Sequence, residues 1–325
     1  MNPLATPPAS RRLALALALL AGAPLAAQAC SSCGCTLNSD WPTQGLSAAR
    51  GLGVDLRHDF FNQNDLRHGS GRVDRSTITF PTDTEVQQQT VNRNTTLTLD
   101  YGLTADWGVS VMLPWIDRFH TTIVDGDTDI STSRSSSLGD ARVLARYTGF
   151  SPDRQWGLQF GLKLPTGDST KVQFSAGPQA GEMLDRGLQP GNGATELLLG
   201  AFRFGSLGDS LDWFAHGLAQ LPVQSATAFK PGVGVNASLG LRYIAAGSLM
   251  PQLQLNLRHE DKESGADADV DNSGATLLYL SPGLSWQASE TLRVYGFAQV
   301  PLWQNVRGTQ IEPKFSLSVG VSTRF

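Results

Sequence analysis

From Lys314 to Phe325 apolar and polar residues alternate without a break. Phe315, Leu317, Val319, Val321 and Phe325 share one face, while Ser316, Ser318, Gly320, Ser322 and Arg324 share the other. A period of two means a β-strand, because successive side chains point to opposite sides of it. A final strand that is apolar on one face and ends on a bare aromatic needs a cover for that face. Lipid outside and a polar lumen inside supply the cover when strands close into a transmembrane barrel. An edge strand of a soluble sandwich is the competing expectation, and the rest of the chain decides between them.

The same alternation recurs. Strands are expected near 51–60, 94–103, 107–115, 138–147, 155–164, 195–204, 211–221, 233–243, 249–259, 277–287, 292–300 and 314–325. Five short turns (104–106, 149–154, 205–209, 245–248 and 288–291) alternate strictly with six longer, polar connections (62–93, 117–137, 165–192, 222–232, 260–272 and 301–313). Twelve strands with turns and loops sorted in this way predict an all-β fold, a closed antiparallel transmembrane β-barrel. An even count places both termini on the short-turn side, which is the periplasmic side in such barrels. No repeat near 40–50 residues supports a propeller instead. Trp107, Trp115, Trp156, Trp213, Trp286 and Trp303 fall near strand ends, where interfacial girdles sit. Phe325 completes a terminal pattern that resembles the assembly signal of bacterial outer-membrane barrels, so the expected partners include outer-membrane lipid and the barrel-assembly machinery.

The first residues set the expected compartment. Arg11 and Arg12 precede an apolar run from Leu13 to Ala27, and Ala27-Gln28-Ala29 offers a small-x-small cleavage site. Residues 1–29 therefore read as a secretory signal peptide, too short for a spanning helix. Residues 30–50 then read as a periplasmic, cysteine-containing segment and residues 51–325 as the barrel. The formal charge is −4, from 25 basic and 29 acidic residues. Removing Arg11 and Arg12 leaves 23 basic against 29 acidic, or −6. That balance argues against a nucleic-acid binder.

Taking each strand's apolar phase as outward gives an inward list of charges. The acids are Asp55, Asp59 and Asp100, and the bases are Arg57, Arg142, Arg146, Lys163, Arg242, Arg258, Arg293 and Arg324. Eight bases against three acids predict a basic inner wall, although the acidic excess of the whole chain lies in the loops. Rings of Arg and Lys favour anions, and low-dielectric walls focus their field. A charge network that only holds a small barrel together is the other reading of the same residues.

Four stretches in order carry a family likeness. They are LGDARVLARY at 138–147, GLKLPTGD at 161–168, QPGNGA at 189–194, and VPLWQNVRGTQI at 300–311 followed by the final strand. Together, over roughly residues 90–325, the chain resembles the outer-membrane family named for the MetA pathway of phenol degradation. The resemblance implies an outer-membrane barrel with a transport role for small solutes, aromatic compounds among them. It supplies no catalytic residues.

Other chemistry is sparse. Cys30, Cys33 and Cys35 form C-x-x-C-x-C and are the only cysteines. Soft thiolates suit Cu or Zn, an oxidising compartment favours a disulfide, and Cys30 follows the cleavage site where a lipid anchor would attach. These readings stay open. The Asp-x-Asp-x-Asp runs at 125–129 and 267–271 lack the Gly and Glu of a calcium loop and read as solvated loops. Five histidines, at 58, 68, 120, 216 and 259, show no nucleophile–base–orienter set, so no enzyme is expected. Two functions follow: passage or binding of small organic, aromatic or anionic solutes, or a non-transporting barrel whose cysteine cluster binds metal or a redox partner.

Overall fold

The computed structural model describes residues 37–46, 50–225 and 228–325. The expected signal peptide and Cys30, Cys33 and Cys35 lie outside the described residues. Twelve barrel strands run in chain order: β1 (Gly51–His68), β2 (Val86–Gly102), β3 (Trp107–Ile123), β4 in two runs (Ser131–Leu138 and Ala141–Tyr147), β5 (Trp156–Leu164) and β6 (Thr195–Leu207). β7 (Leu211–Gln224), β8 (Gly234–Tyr243), β9 (Leu249–Glu260), β10 (Ala275–Gln287), β11 (Leu292–Val306) and β12 (Thr309–Arg324) complete them. Each pairs antiparallel with the next. β12 closes on β1 in a register running from Gly53↔Arg324 to His68↔Thr309. The Phe325 N–H donates to the Leu52 carbonyl at 2.9 Å, so the last residue is tied into the seam. Closure leaves no edge, which is the condition for strands to cross lipid.

The period-two pattern sorts the side chains as expected. On β9, Leu253, Leu255 and Leu257 face outward and are exposed, while Gln252, Gln254 and Asn256 face the lumen and are buried. On β12 the outward Leu317, Val319 and Val321 alternate with buried Ser316 and Ser318. Trp107 and Trp115 both face outward on β3, eight residues apart. At ~3.3 Å per residue and a tilt of ~40° they bracket roughly 20 Å of height, close to the apolar band of such barrels. Leu253 is exposed among the outward leucines of β9, between Leu249 and Leu257. Leu253→Arg is expected to cost about 2–4 kcal/mol of barrel stability, measured by denaturant unfolding in lipid vesicles.

Several connections expected as loops are strands. β1 continues to His68, β2 starts at Val86, β3 continues to Ile123, and β4 begins at Ser131. The expected loop 301–313 is almost wholly paired, leaving only Arg307–Gly308 between β11 and β12. The physical reason is the same throughout: above the lipid band both faces of a strand meet polar surroundings, so alternation disappears while the ladder persists. Near Tyr279 and Pro313 the ladder is irregular, and prolines at 301 and 313 fit such points. Gly308, at φ +61°, makes the two-residue turn.

Strand length is therefore uneven. β1 to β3 carry 17 or 18 residues, and β5 and β8 only 9 and 10. Over the low side of the rim lie the connections 165–194, 228–233 and 261–274. Leu184 and Leu188 are buried in the first of these. The Phe174–Ala176 strand within it pairs with the outer run of β4. That connection folds over the long-loop mouth: Arg118 on β3 donates to the Gly187 carbonyl at 3.2 Å, and Arg186 reaches Asp267 at 3.5 Å.

Candidate functional site, a divided lumen

Residues 37–46 do not hang outside the barrel, as expected for the segment 30–50. They lie in the lumen at the short-turn end. Trp41–Gln44 form one turn of 3-10 helix, started by Pro42 and stopped by Gly45 in the left-handed region at φ +79°. A Cβ at Gly45 would stand 2.6 Å from the Phe204 ring, so only glycine seats the segment against β6. The pattern of this segment is irregular because its partners are wall side chains rather than a second strand.

Those partners come from around the barrel. The Trp41 indole N–H donates to Asp55 at 3.1 Å, and its ring meets Tyr295 edge-on at 4.7 Å. The Tyr295 hydroxyl also donates to Asp55, at 2.9 Å, and the ring fits because Gly320 opposite has no side chain. Arg57 bonds the Ser39 hydroxyl. Gln159 donates to Asp40 at 2.6 Å, Arg242 and Gln252 to the Gln44 side chain at 3.0 and 3.1 Å, and Gln254 to the Asn38 carbonyl at 3.1 Å. The Arg293 guanidinium lies 5.4 Å from the centre of the Trp41 ring, a cation–π distance.

The space left forms two cavities. One of about 270 Å³ borders the plug and is lined by Asp55, Asp100, Arg293 and Arg324 among others. The other, about 290 Å³, lies beneath the folded 165–194 connection and is lined by Arg118, Lys163, Arg186 and Glu196 among others. Both cavities are lined by Arg57, Met112, Arg142 and Arg258, which form a waist between them.

The eleven charged residues singled out in the sequence all belong to this interior, but most are paired. Arg57 meets Asp59 at 2.9 Å, Arg146 meets Asp100 at 3.1 Å, Arg258 meets Glu260 at 2.5 Å, and Arg324 lies 4.0 Å from Asp100. Arg242 lies 3.9 Å from Asp212 and 6.0 Å from the Phe214 ring centre. Lys163 bridges Asp140 at 3.0 Å and Glu196 at 2.6 Å. The eight-to-three balance needs correcting: Asp140, Glu196, Asp212 and Glu260 also face these bases, and Asp40 adds a further carboxylate in the lumen beside Gln159. Glu196 escaped the sequence reading because β6 is apolar on both faces, with Leu198 and Phe202 buried inside. Asp140 shares the inward phase of Arg142 and Arg146, the one signal that could have found it.

Asp140 also explains the short glycine-rich motifs. It stands at the break between the two runs of β4, where its carboxylate accepts from the Gly167 N–H and the Asn192 N–H, both at 3.1 Å. Thr166 donates to the Gly139 carbonyl and accepts from the Ala141 N–H, each at 2.8 Å. Asn192 donates to Glu196 at 2.8 Å. Three separated stretches, at 138–147, 161–168 and 189–194, thus converge on one node that fastens the 165–194 connection across the mouth.

Above the mouth, Asp269 is buried in the 261–274 loop, and burial pushes its carboxyl up to about 7. Burial and the nearby Glu85, Asp269 and Glu263 also raise Asp185 well above the ordinary carboxylate range. A raised acid is stabilising to the packed loops while protonated. That contribution is complete below pH ~4 and is lost as pH climbs through about 7. Limited proteolysis of 261–274 is expected to be faster at pH 8 than at pH 5.5, and Asp269→Asn should remove most of the difference.

The histidines do not assemble. His58, His68 and His259 each contact a threonine hydroxyl, His120 meets Thr90, and His216 meets Gln159.

The closed ladder, outward leucine band and polar lumen define a twelve-stranded barrel of the outer-membrane type. Among solved structures, the chain is similar to the COG4313 outer-membrane channel from Pseudomonas putida F1, with a TM-score of 0.61 and 14% identity, covering 89% of this chain and 99% of that one. The β-domain of the Bordetella autotransporter BrkA gives 0.49 at 13% identity, over 85% of this chain and all of the other. The CymD monoaromatic hydrocarbon channel gives 0.45 at 8% identity, over 90% and 94%. No family model matches the sequence, and no curated protein does.

Proposed function

We propose that this chain is an outer-membrane channel for small organic solutes, with a preference for anions. The observation that carries this reading is the pair of cavities meeting at Arg57, Met112, Arg142 and Arg258. Polar walls surround the route, and guanidiniums stand where it narrows, an arrangement that raises the local concentration of anions. The P. putida neighbour, itself an outer-membrane channel, supports the reading by analogy of fold alone. The short-turn end would face the periplasm, as in other barrels of this architecture.

Planar-bilayer recording on the purified full chain tests it. Open steps are expected, with a reversal potential in a salt gradient shifted toward the anion. A silent bilayer would overturn the channel, and a cation-directed shift would overturn the preference.

A further inference from the structure

We infer that Arg142, with the apolar strip beside it, forms a binding site for a small organic monoanion: one carboxylate on a compact apolar body. The inference rests on the channel reading and names the solute class of its waist.

Arg142 differs from its neighbours in having no hydrogen bond and no carboxylate within 4.0 Å among the described residues, although it lines both cavities and is only partly buried. Its nearest acids by charge are Glu196 and Asp140. Their oxygens are already committed to Lys163, Asn192, Gly167 and Gln220. A guanidinium in a narrow lumen therefore presents its donors to whatever enters. Its planar fork matches a carboxylate in two parallel bonds. Arg57 and Arg258 are close enough to add to the field, yet each has its own carboxylate partner. One added negative charge finds a free cation, and a second does not.

The apolar half of the site is equally specific to this place. Met112 is the register partner of Arg142 across β3 and β4, and Leu144 follows two residues on along the same face. Met112, Leu144 and Leu218 line the cavity with Arg142, and Leu198 packs behind them. Facing strands offer amides instead, as at Gln252, Gln254 and Asn256. Met112, unbranched and polarisable, adapts to the shape and to the ring edge of a bound body.

Calorimetric titration of the detergent-solubilised full chain with benzoate, acetate and benzyl alcohol separates the two halves. Benzoate is expected to saturate one site, and acetate and benzyl alcohol to bind about tenfold more weakly or worse. Arg142→Gln, checked for a heat-modifiable band on a gel, should weaken benzoate about tenfold, with R142K in between. Leu144→Gln keeps the charge and should weaken benzoate while leaving acetate unchanged, so the proposal stays testable if R142Q does not fold. Equal affinity for benzyl alcohol and benzoate, or an R142Q titration matching the parent, would overturn it. Open channel steps without benzoate binding sink the site alone, whereas benzoate binding in a silent barrel sinks the channel reading alone.

Discussion

Deletion of residues 37–46 is expected to raise single-channel conductance about threefold, because the segment fills the lumen at the short-turn end. The ties that hold it are polar bonds to wall side chains, ring contacts, and the packing of Leu37 and Leu46 with Tyr295 and Phe297. Each such bond counts for only ~0.5–1.5 kcal/mol net, since water replaces it when the segment leaves. The segment is thus held by many weak contacts instead of one strong one. Trp41→Ala removes the indole bond to Asp55, the Tyr295 edge and the Arg293 contact together, and should give part of the same increase with frequent transitions between levels. Gly45→Ala, which places a methyl against Phe204 at a positive φ, should do likewise by unseating the turn. Unchanged conductance in the deletion, in a barrel that still shows heat-modifiable migration, would mean that solutes take a path that avoids this end.

Replacing Lys163 by Met is expected to be the most destabilising single change in the wall, about 3–5 kcal/mol. The ammonium stands between Asp140 and Glu196, all three nearly excluded from solvent. Without it two carboxylates remain buried together. The triple variant Lys163→Met, Asp140→Asn, Glu196→Gln should recover much of the loss, since neutral amides keep some of the bonds to Gly167, Asn192 and Gln220. Denaturant unfolding in lipid vesicles measures both. Equal stability of the single and triple variants would show that the charges do not act as a unit. In the single variant the 165–194 connection should also become sensitive to protease, because Asp140 is what fastens it.

Lys163 shows what the sequence could and could not yield. Its inward direction is legible from Leu162 and Leu164, which alternate around it and face the other way. Its role is not, because Asp140 and Glu196 come from strands 23 and 33 residues away in sequence, and only closure of the sheet brings them together. The lipid band was readable for the same reason: one face of each strand meets hydrocarbon, so Leu253 and Val319 carry the signal without any tertiary information. Above that band the constraint is gone. Arg118, His120 and Thr122 still point inward on β3, but Asp117 and Thr121 interrupt the apolar face that Phe119 and Ile123 would mark, so the period is hidden and the stretch reads as a loop. The segment 37–46 was least legible of all. Its order comes from Asp55 and Arg57 on the next strand and from Gln159, Arg242 and Tyr295 far along the chain, and nothing in LNSDWPTQGL announces them.

The bond from Trp41 to Asp55 spans 14 residues, whereas the bond from Tyr295 to Asp55 spans 240. Asp55 lies on β1 and Tyr295 on β11, on opposite sides of β12. The short contact can form while the chain is still an open sheet; the long one waits until the far edge arrives. Docked on β1, the indole offers the incoming edge a partner before the ladder between β1 and β12 exists, and long-range strand pairing of that kind is the slow part of making a sheet. The piece that fills the finished lumen is therefore also a hook at the place where the cylinder is sewn shut, and the order of assembly is written into the ten residues that precede the wall.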